Sequence, residues 1–145
     1  MRFLALLIAP ALFGQVSLTL SGPAEVQRGG TLAVVVMSGG ATSTGPAGWQ
    51  WTFAPPAGFT VLSVTPGTRA VAAGKSVTCW TGNLKCLAWG GNGVIANGQL
   101  ALITMQVPAT AVVGAPAVFL LTSRIAVGST GSELPTTADL VVRIR

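Results

Sequence analysis

The chain has two cysteines, Cys79 and Cys86, at either end of WTGNLK inside the stretch VTCWTGNLKCLAWG. Two thiols so placed could hold a metal, exchange electrons or staple a hairpin. Zinc needs four ligands drawn from Cys, His or carboxylate, and the sequence contains no histidine. A redox pair has the closer C-x-x-C form. A staple needs a tight turn, and Gly82-Asn83 supplies residues that tolerate the positive φ of a two-residue hairpin loop. That turn sets Thr81 opposite Leu84, Trp80 opposite Lys85 and Cys79 opposite Cys86. Facing residues of antiparallel strands lie about 4.5–5.5 Å apart at Cα, within disulfide reach. This register puts the cysteines at a hydrogen-bonded pair, the wider kind, and a longer loop would relieve that. A structural disulfide Cys79–Cys86 is therefore expected. It closes a short loop, so it should add about 2–3 kcal/mol and pin the hairpin rather than hold up the fold.

The remaining chemistry is sparse. Without histidine there is no Ser-His-Asp triad, no Cys-His pair and no imidazole ligand. Glu25, Glu133 and Asp139 are the only carboxylate side chains. They offer neither an evident facing pair for glycoside hydrolysis nor the several charged oxygens that calcium takes. Tyrosine is absent. Lys75 and Ser76 are adjacent, so on a strand they point to opposite faces and cannot act as a couple. Gly91-x-Gly93-x-x-Ala96, in GGNGVIA, echoes a dinucleotide loop but lacks the strand-turn-helix frame that gives that motif its anion site. The reading is a non-enzyme with no catalytic residue, no metal and no cofactor.

Surface recognition is left, and the four tryptophans are its sharpest candidates. Trp49 and Trp51 alternate with Gln50 and Thr52 and lead to Phe53, the pattern of a buried face. Trp80 and Trp89 share the hairpin face opposite the cysteines, together with Lys85. If Cys79, Leu84, Cys86 and Ala88 look inward, these look outward. Trp80, Trp89 and Lys85 are the candidate binding residues. Exposed indoles can stack on the apolar faces of sugar rings.

The elements that must position these residues are strands. Apolar residues recur with a period of two or in short β-branched runs, separated by Gly, Pro and Asn. Nine segments qualify: VSLTL (Val16–Leu20), TLAVVVM (Thr31–Met37), WQWTF (Trp49–Phe53), FTVLSV (Phe59–Val64), SVTCW (Ser76–Trp80), LKCLAW (Leu84–Trp89), QLALITMQV (Gln99–Val107), AVFLL (Ala117–Leu121) and ADLVVRI (Ala138–Ile144). Both faces of QLALITMQV are apolar, which predicts a central strand. No stretch combines helical spacing with caps over three turns. Short strands with turn signals between them predict an all-β sandwich or barrel.

Composition agrees. Half of the 145 residues are apolar and only 8% are charged, so the surface is built from small polar residues. The net charge of +5 reflects scarce acids. The bases are scattered, without the stripe a nucleic-acid surface needs. The N-terminal MRFLALLIAPALFGQ has a basic Arg2, an apolar run and a small Gly14, which reads as a secretory signal peptide over residues 1–14. Its apolar run is short of the about 20 residues of a transmembrane helix, so no membrane span is expected. One domain follows over residues 15–145, in a secreted or cell-surface protein.

The stretch NGVIANGQLALITMQVP (Asn92 to Pro108) resembles the cohesin domain family. Ile95 precedes the Asn97-Gly98 turn, and Leu100, Ala101, Ile103 and Met105 continue the long strand that follows. The opening, from Val16 to Val36 with its Gly29-Gly30 turn, also fits. The resemblance implies an antiparallel jelly-roll β-sandwich of about nine strands, related to cellulose-binding modules. It also implies a non-catalytic module that attaches a dockerin-like protein partner in extracellular polysaccharide degradation. Many cohesins carry a Tyr-Asp pair where this chain has WTFAPP, and they grip dockerin partly with acidic side chains that are scarce here. Two other readings stay open: a carbohydrate-binding module that holds polysaccharide on Trp80 and Trp89, and a structural surface or virion subunit.

Overall fold

Period-two alternation puts every second side chain of a strand on one face, and here those apolar faces meet between two sheets. The computed structural model describes residues 16–80, 84–128, 133–134 and 140–144. The expected signal peptide and the Gly82-Asn83 turn lie outside the described residues, as does most of ADLVVRI's start.

The first sheet has the order β1-β3-β8-β5: β1 is Ser17–Ser21, β3 Thr31–Gly39, β5 Thr60–Pro66 and β8 Gly98–Gln106. The second has the order β2-β11-β9-β4-β7-β6: β2 is Glu25–Val26, β4 Gly48–Ala54, β6 Ser76–Trp80, β7 Lys85–Trp89, β9 Pro116–Val127 and β11 Leu140–Ile144. A further short strand, β10 (Glu133–Leu134), pairs with β9. Pairing is antiparallel except between β2 and β11. From β3 to β9 the chain alternates between sheets, with the β6–β7 hairpin as one stop in the second. The architecture is the expected all-β sandwich, with QLALITMQV central in the first sheet as its two apolar faces required.

Three features lie beyond those expectations. Two-residue β2 and β10 raise the strand number among the described residues above nine, because so short a pairing leaves no periodic trace. AVFLL is only part of β9, which runs on to Val127. Ser123 takes a left-handed φ of 50°, and the pairing with β4 shifts between Gln50 and Thr52. This bulge adds one residue on β9 and so breaks the alternation that would have revealed the strand's second half. Finally, the described residues include a short helix, α1 (Thr68–Ala72). It lies over β8, with Ala70 fully buried and the Gly67 amide bonded to the Leu100 carbonyl at 2.8 Å. A Cβ at Gly67 would collide with the Gln99 carbonyl, so glycine permits the close approach. α1 covers Leu100, which accounts for that strand's second apolar face.

The core between the sheets holds Leu18, Val34, Val36, Ile103 and Met105 from the first and Trp49, Trp51, Phe53, Phe119 and Leu121 from the second. Phe119 is sandwiched by aromatic contacts, stacked on Phe53 at 6.1 Å and edge-on to Phe59 at 5.4 Å between ring centres. The Trp49 indole N–H donates to the Ser38 hydroxyl at 2.9 Å, joining β4 to β3 through the core. Trp51 is equally buried, but its indole N–H has no partner among the described residues.

Candidate functional site

The β6–β7 hairpin is where the sequence concentrated its candidates. Cys79 pairs with Cys86, and the structure joins them in a disulfide. Their Cα atoms are 4.0 Å apart, the narrow, non-hydrogen-bonded kind of pair. The expected wider pairing is thus corrected. Leu84 adopts a left-handed φ of 52° and donates its amide to the Trp80 carbonyl at 2.8 Å.

Strand parity then decides the faces. Cys86 and Ala88 are buried in the core, while Trp80 and Trp89 are 51% and 52% exposed. Both tryptophans and Lys85 stand on the outer face of the second sheet. They do not form one platform, however. Trp80 opposes Lys85 and Trp89 opposes Ser76. Four residues of strand separate the two indoles, about 13 Å at the usual rise. Trp89 leans over its neighbour, donating its indole N–H to the Thr78 hydroxyl at 3.1 Å.

Across the same face, Lys85 opposes Thr52 and Leu87 opposes Gln50 on β4. Beyond β4, the outward residues of β9 include the exposed Val118 and Leu120. The face therefore presents Trp80, Trp89, Val118 and Leu120 among Thr and Gln side chains.

At the end of the sheet beside Trp89, a groove of about 380 Å³ runs between β4, β7 and β9. The sequence did not reveal it, because it forms where side chains are missing. Gly48 leaves a gap in the outward row of β4, and the loop Gly90-Gly91 borders it. Gly91 has a left-handed φ of 64°, a conformation glycine adopts freely. Buried Lys75 holds this loop in place: its Nζ donates to the carbonyls of Gly90 and Gly91 at 2.8 and 2.9 Å. The GGNGVIA segment is accordingly a clamped connection without a helix. Its Ile95 is buried and its Ile95 amide bonds the Pro46 carbonyl.

Burial lowers the pKa of Lys75 from its ordinary 10.5, because the charged amine is less well solvated inside. Between the lowered value and 10.5 the unfolded chain binds more protons than the folded one, so stability rises with pH across that window. Below it the full penalty of a buried charge is present. Lys75 and Lys85 are the only lysines, tyrosine is absent and both cysteines are bonded, so few other side chains titrate there. Urea unfolding from pH 9 to 11 should show a rising midpoint in the native chain and a flatter profile in Lys75→Met. Equal slopes would refute this account of the clamp.

Among the described residues no three His, Cys, Asp or Glu side chains gather into a metal site, and no helix is long and apolar enough to cross a membrane.

No protein-family model matches the sequence, and no curated protein matches it. Solved structures do match the fold. The sixth cohesin of scaffoldin B from Acetivibrio cellulolyticus, solved in complex with a Cel5 dockerin mutant, is 17% identical with a TM-score of 0.78, covering 90% of this chain and 99% of that one. A cohesin module of a family 33 glycoside hydrolase from Clostridium perfringens is 17% identical with a TM-score of 0.74, over 91% and 98% of the two chains. A non-cellulosomal cohesin from Archaeoglobus fulgidus is 17% identical with a TM-score of 0.73, over 90% and 91%. The resemblance first carried by Asn92 to Pro108 thus extends through the architecture of the described chain: this is a cohesin-like β-sandwich.

Proposed function

We propose that this chain is a non-catalytic module that docks a dockerin-like protein on the outer face of its second sheet. The observation that carries the reading is that this one sheet face leaves Trp80 exposed on β6 and Val118 and Leu120 exposed on β9, across a row of Thr, Lys and Ala side chains. Flat apolar surface with polar surroundings is the usual anatomy of a protein interface, and large aromatic side chains supply most of the binding energy. The fold likeness supports it, since the scaffoldin B cohesin is bound to a dockerin.

Export belongs to the same proposal. Residues 1–14 would act as the signal peptide, and a bridged Cys79–Cys86 pair suits an oxidising compartment. The setting would be extracellular or cell-surface attachment in polysaccharide degradation. Nothing in the structure favours a structural-subunit role over this one.

The test is calorimetric titration of the chain with a panel of purified dockerin modules, then with Trp80→Ala and Leu120→Ala. At least one dockerin should bind, and each substitution should weaken it by about tenfold or more. Absence of binding across the panel, or affinity indifferent to both substitutions, would count against the proposal.

A further inference from the structure

We infer that the groove beside Trp89 is a site for a neutral saccharide, at the opposite end of the β6–β7 hairpin from the docking residue Trp80. The inference goes beyond the docking reading and does not rest on it. The groove's volume, about 380 Å³, falls in the range of small-molecule sites, about 300–1,000 Å³. It is bounded by regular strands and by a loop that Lys75 clamps at two carbonyls, so its shape is set before a ligand arrives. Preformed sites bind with little ordering cost.

The lining selects the ligand's chemistry. Among the described residues that border the groove, none carries a charge, although the chain as a whole is basic. The nearby Lys75 ammonium is taken up by the Gly90 and Gly91 carbonyls, so an ionic ligand would lose its hydration without a charged side chain on the lining to replace it. Leu87, Ile125 and Val127 provide apolar surface, and Trp89 provides an aromatic wall. The indole N–H of Trp89 is already committed to Thr78, which leaves the ring itself as its contribution to a ligand. Gln50 and Asn92 add two amides, each able to donate and accept. A wholly apolar ligand would cover those amides without pairing them, at a cost. A pyranose satisfies both demands: its CH face lies against an aromatic or aliphatic surface, and its hydroxyls at the rim pair with amides. Trp80 is too far along the hairpin to share this ligand.

The experiment follows the indole and side-chain amide signals of the full chain by ¹H–¹⁵N NMR during titration with cellobiose, xylobiose and mannobiose, too short to reach Trp80 from the groove, each to about 5 mM, the range of weak single-site binding. The Trp89 indole signal is assigned through Trp89→Phe. A neutral oligosaccharide should shift the Trp89, Gln50 and Asn92 signals saturably. Trp89→Ala should weaken binding by about tenfold or more, and Trp80→Ala should leave it within about twofold. Trp89→Phe keeps an aromatic face and should retain most of the affinity. Gln50→Ala, a surface change, should weaken binding severalfold even if Trp89→Ala fails to fold. The inference is overturned if none of the three sugars moves the Trp89 signal, or if Gln50→Ala and Trp89→Ala bind as the native chain does. It is also overturned if oligogalacturonate binds more tightly than the neutral sugars, or if these signals respond only to a dockerin module.

Discussion

Trp49→Phe should destabilise the fold by about 1–3 kcal/mol more than Trp51→Phe, although both indoles are fully buried neighbours on one strand. Each substitution removes similar ring volume and leaves a comparable void. The difference is polar. Trp49 donates to the Ser38 hydroxyl, and Ser38 is itself buried, so phenylalanine strands that hydroxyl in the core. The Trp51 N–H has no partner among the described residues to lose, and its removal relieves an unpaired donor. Urea midpoints at pH 7 with unchanged slopes would measure the gap. Ser38→Ala should be costly in the native background and much milder beside Trp49→Phe, because the two groups answer each other. Equal costs for the two tryptophans would show that the inter-sheet hydrogen bond contributes nothing.

Converting both Cys79 and Cys86 to Ala should lower stability by about 2–3 kcal/mol, since the closed loop is short. For a chain of this size that corresponds to a melting point lower by roughly 5–10 °C. The loss should be concentrated in one place. β6 is the edge of the second sheet and pairs only with β7 there, whereas β7 is also held by β4. Hydrogen exchange in the double variant should therefore accelerate in Ser76–Trp80 and hardly at all in Gly48–Ala54. Uniform acceleration across the sandwich would mean that the bridge supports the whole fold. Because Trp80 sits on the strand that loosens, dockerin affinity should fall in the same variant while the native fold persists.

Much of this architecture was readable in advance. SVTCW is β6 residue for residue, because its alternation is clean and Lys75 and Thr81 bound it. The opposition of Cys79 to Cys86 followed from centring the hairpin between Gly82 and Asn83, and the outward turn of Trp80 and Trp89 followed from strand parity. The left-handed backbone at Leu84 was not legible, since a leucine side chain does not announce it. The rear half of β9 was hidden by the bulge at Ser123, where two residues answer one and the period of two fails. α1 is a single turn with a neighbour, too short for any helical period to register.

By itself the sequence determined which side of its own strand each residue occupies, because that depends only on the two-residue repeat of an extended backbone. It also determined that the hairpin could be bridged and that catalytic groups are scarce. Only the tertiary structure decided which distant strands lie side by side. That choice placed Gly48 next to the outward row that holds Leu87 and Trp89, with Ile125 beyond, and brought Lys75 under Gly90 and Gly91. A groove is a property of neighbours and of absent side chains. Neither can be read along a single strand, because sheet order is set by how whole apolar faces pack against each other.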